Sequence, residues 1–208
     1  MKRKEQPFFT YSLAVINIVI FFILELGGDT EGDIAYMIRC GALSVPHVTE
    51  QGEYWRFLTA TFLHFGFEHL LNNMFLLLCA GQILEKALGH VKFLILYLCS
   101  GVGGCMLSFG QMIYSGDYKI AAGASGAIFG IIGALFVIVI RHKGRYETLT
   151  GKGLFFMIVL SLYYGIRTGG IDNWGHIGGL LMGFLGGMVF YRKRKKSVDF
   201  SEKSSYTY

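Results

Sequence analysis

Charge is scarce in this chain. Asp, Glu, Lys and Arg make up 16% of its 208 residues, against 53% hydrophobic. Proline is nearly absent, at two, while glycine reaches 29. That combination is unlike a disordered linker and like closely packed membrane helices. Polar residues are missing from whole stretches, such as IIGALFVIVI at 131–140. The apolar residues run in blocks rather than at helical spacing around a polar face, which excludes an ordinary soluble domain. Cysteine is limited to Cys40, Cys79, Cys99 and Cys105, and no pair has metal-ligand spacing. Three of them fall in apolar runs, where cysteine acts as a small hydrophobe, and Cys40 has no evident disulfide partner. No metal site is expected.

What remains is a polytopic membrane protein of the all-α class. Six spans are read, at roughly 9–26, 66–84, 93–115, 122–140, 153–168 and 174–191. Each has to cross about 30 Å of hydrocarbon, for which about 20 helical residues suffice. The first is followed by no small-residue cleavage site, so it reads as a span and not as a signal peptide. With both termini on one side, that side carries 15 of the 19 Lys and Arg residues and the other carries Arg39, Arg56, Lys119 and Arg167. Both termini are therefore expected in the cytoplasm of a multi-pass cell-membrane protein. The net charge of +5 reports this topology and an attraction to anionic lipids; nucleic acid is not an expected partner.

The organisation that follows is a basic N-terminus (1–8), a membrane domain (9–191) and a basic tail (192–208) expected to be disordered. Most connections are short. The exception is the external segment 27–65, a length that usually carries structure or function of its own. Its last third, EYWRFLTATFLHF, is rich in aromatics and suits the membrane interface; Trp55 alone reads as an interfacial anchor.

Polar side chains inside a bilayer are expensive, so their positions are informative. Spans two, four and six run in the same direction, and each is polar near its external start. Span two has His69 and Asn73, four residues apart and on one helix face, with His64 at the lip. Span four has Ser125 between Gly123 and Gly126, and span six has His176. Taken alone, Ser125 with Gly126 and Gly130 reads as a small-residue packing surface. Gly175, Gly179, Gly183 and Gly187 form a bare ridge that lets span six approach span four closely, with His176 beside its external end. Asp172 reads as a helix cap.

One shared site then has a chemistry. A serine hydroxyl needs an adjacent base, and His176 supplies one for Ser125. An oxyanion needs preorganised donors, and His69, Asn73 and the Ser125 N–H supply them.

These residues resemble the rhomboid family of intramembrane serine proteases. HFGFEHLLNN carries the family's spacing as His64, His69 and Asn73; GASG carries Ser125 and GHIGG carries His176. The WR pair appears as Trp55 and Arg56, and GQILEKALG, with Glu85, resembles the end of the family's second span. The resemblance spans about residues 50–190. It implies a six-helix rhomboid-like bundle and a Ser125–His176 dyad that cuts transmembrane protein substrates, without a cofactor. It also links the fifth helix and its cap loop, here RTGGIDN, to substrate entry. Where some members have tyrosine one turn after the nucleophile, this chain has Phe129. The alternatives are an inactive relative that binds and escorts membrane proteins, and a transporter. The first is opposed by the complete set of catalytic positions. The second is opposed by the lack of an inverted repeat or a midplane acid.

Overall fold

The computed structural model describes residues 6–168 and 170–193. The start of the basic N-terminus, Gly169 and the tail beyond residue 193 lie outside the described residues. Helices dominate, and six of them occupy the six intervals read as spans. These are α1 (Phe8–Gly27), α5 (Gly66–Leu88), α6 (His90–Ser115), α7 (Ser125–Arg141), α8 (Gly151–Thr168) and α9 (Asn173–Phe190). Three short helices, α2 (Ile34–Arg39), α3 (Val45–Gln51) and α4 (Arg56–Thr59), precede a 3-10 turn at Ala60–Phe62. The only strands among the described residues are β1 (Arg145–Tyr146) and β2 (Leu149–Thr150), an antiparallel hairpin before α8.

By length and composition alone, α1 and α6 are long and apolar enough to cross a membrane, with mean hydropathies of 2.1 and 1.8. Helix α7 is apolar too but shorter. Helices α5 and α9 carry Glu68, His69, Asn73 and Glu85, and Asn173 and His176, which lower their hydropathy.

Helix α7 is the centre of the bundle. Its apolar side chains go all round, so it is stable only when surrounded, and Ala127 through Leu135 are buried without a break. Helix α9 lies against it through glycine. A Cβ on Gly179 would fall on the Gly126 carbonyl, and one on Gly183 on the Gly130 carbonyl. The two backbones touch, as the glycine ridge predicts. Helix α6 closes the third side: a Cβ on Gly104 would lie 2.7 Å from the Gly175 carbonyl oxygen.

Helix α1 is fastened to the far end of α5 by one buried carboxylate. Glu85 accepts from the backbone N–H groups of Phe9 (2.8 Å) and Thr10 (2.7 Å), from the Thr10 hydroxyl (2.6 Å), and pairs with His90 Nδ1 (2.5 Å). A negative charge at the open N-terminus of a helix satisfies N–H groups that have no intrahelical acceptor.

The segment 27–65 has structure of its own, as its length implied. Arg56 is its internal tie: only 3% exposed, it donates to the carbonyls of Ile38 (2.6 Å) and Ala42 (2.8 Å) and pairs with Glu53 (2.5 Å). The segment grips the approach to α7. Leu43 and Ala121 exchange backbone hydrogen bonds (2.8 and 3.1 Å), and the Gly123 N–H donates to Ala60 (2.9 Å). These bonds hold residues 121–123 out of the helix. Helix α7 therefore starts at Ser125, and not at 122 as the apolar run suggested.

Candidate active site

Ser125 is the first residue of α7. The N–H groups of a helix's first turn have no intrahelical acceptor, so its backbone and its hydroxyl face the same open end. Gly123 shapes that end. Its φ of +145° favours glycine, and a Cβ there would lie 2.9–3.0 Å from the His69 ring and 3.6 Å from Ser125 Oγ. The hydroxyl and the imidazole therefore share the bare face of one residue.

Helix α5 brings His69 half-buried and Asn73 buried to the same end. The Asn73 Nδ2 amide is buried with no hydrogen-bond partner among the described residues. Next to them stands His64, and here the structure corrects the expectation of a residue at the lip of the site. His64 is 1% exposed, with its ring 5.2 Å from that of His69, and its Nε2 accepts from the Ala124 N–H (3.4 Å). Helix α5 begins only at Gly66, so the chain before it turns inward beneath the start of α7.

Helix α9 contributes His176, 7% exposed and stacked on Phe129 with ring centroids 4.2 Å apart and an interplanar angle of 8°. Phe129 is one turn after Ser125, so the stack holds the imidazole on the Ser125 side of α7. Close approach of the backbones at Gly126 and Gly179 sets the depth. No hydrogen bond joins Ser125 to His176 among the described residues, and His176 Nδ1 is buried without a partner.

Asp172 caps α9, accepting from the Gly175 N–H (2.8 Å). Burial pushes its carboxyl up from the ordinary range, against the pull of the Gly175 N–H, the Ser108 hydroxyl, the Trp174 N–H and Lys119. It also lines a cavity of about 20 Å³ beside Ser125, together with Gly123, Gly126, Gly175 and Cys105. That is room for one water-sized molecule. His64, His69 and Asn73 are not among its walls, which on the side of α6 are formed by Gly101, Gly104 and Cys105. The residues sequence reasoning missed are Cys105 and Asp172 as cavity wall, with Gly101 and Gly104. The signal was present in the closely spaced glycines of α6, which mark a face of close approach.

Trp55 and Arg56 are not in this cluster. Trp55 is half exposed, and the Arg56 guanidinium lies over its ring at 4.7 Å, so the pair braces the external segment.

The assembly is a helical bundle of membrane character with serine, histidine and amide groups gathered at one end. Residues 51–193 match the rhomboid domain. The chain is 37% identical over 183 residues to rhomboid protease GluP of Bacillus subtilis (strain 168), which covers 86% of this chain and 34% of that protein. It is 34% identical over 201 residues to Rhomboid-like protease 1 of Toxoplasma gondii, covering 90% and 67%. To RHOMBOID-like protein 5 of Arabidopsis thaliana it is 38% identical over 153 residues, covering 73% and 48%. The chain thus spans between a third and two thirds of the length of these relatives. It belongs to the rhomboid family, whose members are membrane-embedded.

Proposed function

We propose that this protein is an intramembrane serine endopeptidase that hydrolyses peptide bonds of transmembrane proteins. The observation that carries the reading is the Phe129–His176 stack one turn from Ser125, at an interface where glycine backbones touch. His176 takes the proton from Ser125 Oγ as the oxygen attacks the scissile carbonyl. The oxyanion is held by the Ser125 N–H, the Asn73 amide and His69. His176 then passes its proton to the leaving amine, and a water molecule hydrolyses the acyl-enzyme by the same relay in reverse. Gly123 lets the His69 ring stand beside Ser125, and Gly126 lets α9 bring His176 close. His64, beneath the loop, supports the Ala124 N–H and the neighbouring His69 ring.

In this reading all six long helices span the bilayer, both termini are cytoplasmic, and the end holding Ser125 faces outward. A membrane helix hides its carbonyls in its own hydrogen bonds, so the substrate has to unwind at the cut. Small residues and helix breakers near the cut are preferred for that reason.

Purified protein reconstituted with single-span substrates tests this. The wild type cuts a span containing glycine or proline and spares a straight polyleucine span, and Ser125→Ala cuts neither. A Ser125→Ala variant that still cuts refutes the mechanism. Binding of substrates without cleavage by the wild type supports an inactive escort instead.

A further inference from the structure

Ion pairs are distributed unevenly between the two ends of the bundle. At the Ser125 end, Arg39 pairs with Asp33, Arg56 with Glu53 and Lys119 with Asp117. At the opposite end no lysine or arginine among the described residues has a carboxylate partner; the one ion pair there is His90–Glu85. The described carboxylates of that end are Glu85, consumed by the start of α1, and Glu147 in the hairpin turn. Several bases are spent on the structure itself. Arg141 donates to the carbonyls of Met188 (3.0 Å) and Tyr191 at the end of α9, Lys193 donates to Arg141 (3.1 Å), and Lys92 to Phe190 (3.3 Å). These bonds draw the ends of α6, α7 and α9 into one basic surface.

Around the hairpin, Lys143, Arg145 and Lys152 are left over. All three are exposed, and their side chains make no hydrogen bond or ion pair among the described residues. They surround the turn that leads into α8, and the Lys143 backbone sits in the left-handed region (φ +61°), uncommon for a residue with a side chain. Helix α8 buries few side chains: among its described residues, Leu154 and Gly165 are the buried ones. Its first turn is held by the Gly151 N–H, which donates to the Gly144 carbonyl (3.0 Å), and the Gly153 N–H, which donates to the Thr150 hydroxyl (3.1 Å). Its other end is tied by the Asn173 amide, which donates to Leu162 (3.1 Å). The first end has three unpaired cations.

We propose that the hairpin surface of Lys143, Arg145 and Lys152 binds the headgroup phosphates of anionic phospholipids, which anchor the start of α8. Opposite charge identifies the class of ligand. The position identifies the source, because the surface lies between the end of the apolar helix α7 and the start of α8, at headgroup level if the bundle spans the bilayer as proposed. The inference rests on that embedding and not on the peptidase chemistry.

The test uses the full chain in phosphatidylcholine vesicles with a minority of phosphatidylglycerol, extracted gently, with retained lipid quantified by mass spectrometry. Phosphatidylglycerol is expected several-fold above its share in the vesicles. The enrichment should fall to that share in the triple variant Lys143→Gln, Arg145→Gln, Lys152→Gln, and persist in Lys143→Arg, Lys152→Arg. Equal retention by wild type and triple variant overturns the proposal. So does stripping of the lipid by an equal concentration of inorganic phosphate, which would mark a free-anion site. A chain that does not float with the vesicles overturns the embedding as well. The measurement involves no substrate, so its failure is separable from failure of the peptidase reading.

Discussion

At the scale of single residues, Asn73 is the most open to test, because its role rests on one buried amide. Asn73 Nδ2 has no partner among the described residues, yet an amide that is merely structural should be satisfied. If it is an oxyanion donor, Asn73→Ala should lower kcat by about 100- to 1000-fold. KM and thermal stability should change little, since no bond within the protein is lost through that nitrogen. A fall in stability with kcat preserved would show a packing role instead. Residue identities at this site were legible in the sequence because polar groups stand out against apolar runs: Ser125, His69, Asn73 and His176 all lie at the same end of the bundle. The place of His64 was not legible. Helical spacing put it at a lip, but the helix does not reach it, and its partner, the Ala124 N–H, is sixty residues away. Contacts of that kind leave no periodic trace.

At the scale of elements, close approach of α7 and α9 makes the site possible, and a single methyl should disturb it. A Cβ on Gly183 meets the Gly130 backbone, which has no flexible end to give way. Gly183→Ala should therefore destabilise the protein by about 1–3 kcal/mol through overpacking, and lower cleavage with it. Gly110, on α6 of the same bundle, serves as control, because a methyl added there would have nothing within 4 Å. Gly110→Ala should be neutral or stabilising by up to about 1 kcal/mol, from helix propensity. Thermal unfolding in detergent compares the two; equal effects would contradict the account of the ridge. The long helices were legible as apolar blocks, to within a few residues. The start of α7 was not, because the bridge between Leu43 and Ala121 joins distant parts of the chain. Helices α2 to α4 were not legible either. They have four to seven residues each, too few to show a periodicity, and Arg56 holds them together from within.

At the scale of the whole molecule, the proposed orientation rests on the asymmetry of charge, 15 of the 19 Lys and Arg residues falling on the side of the termini in the six-span reading. Protease-cleavable tags at the two termini should be protected together in intact cells and digested together in inside-out vesicles. Tags on opposite sides would refute the six-span reading. His69, Ser125 and His176 each lie near the N-terminal end of their helix, α5, α7 and α9, so the shared direction of these three helices is what gathers them at one end. The most direct measurement of that convergence is covalent labelling of the protein in native membranes by a fluorophosphonate, which marks only an activated serine. The wild type should be labelled at Ser125, and both Ser125→Ala and His176→Ala should remain unlabelled while staying folded. Labelling that survives loss of His176, or a wild type that never reacts, would contradict the claim that these two side chains work as a pair.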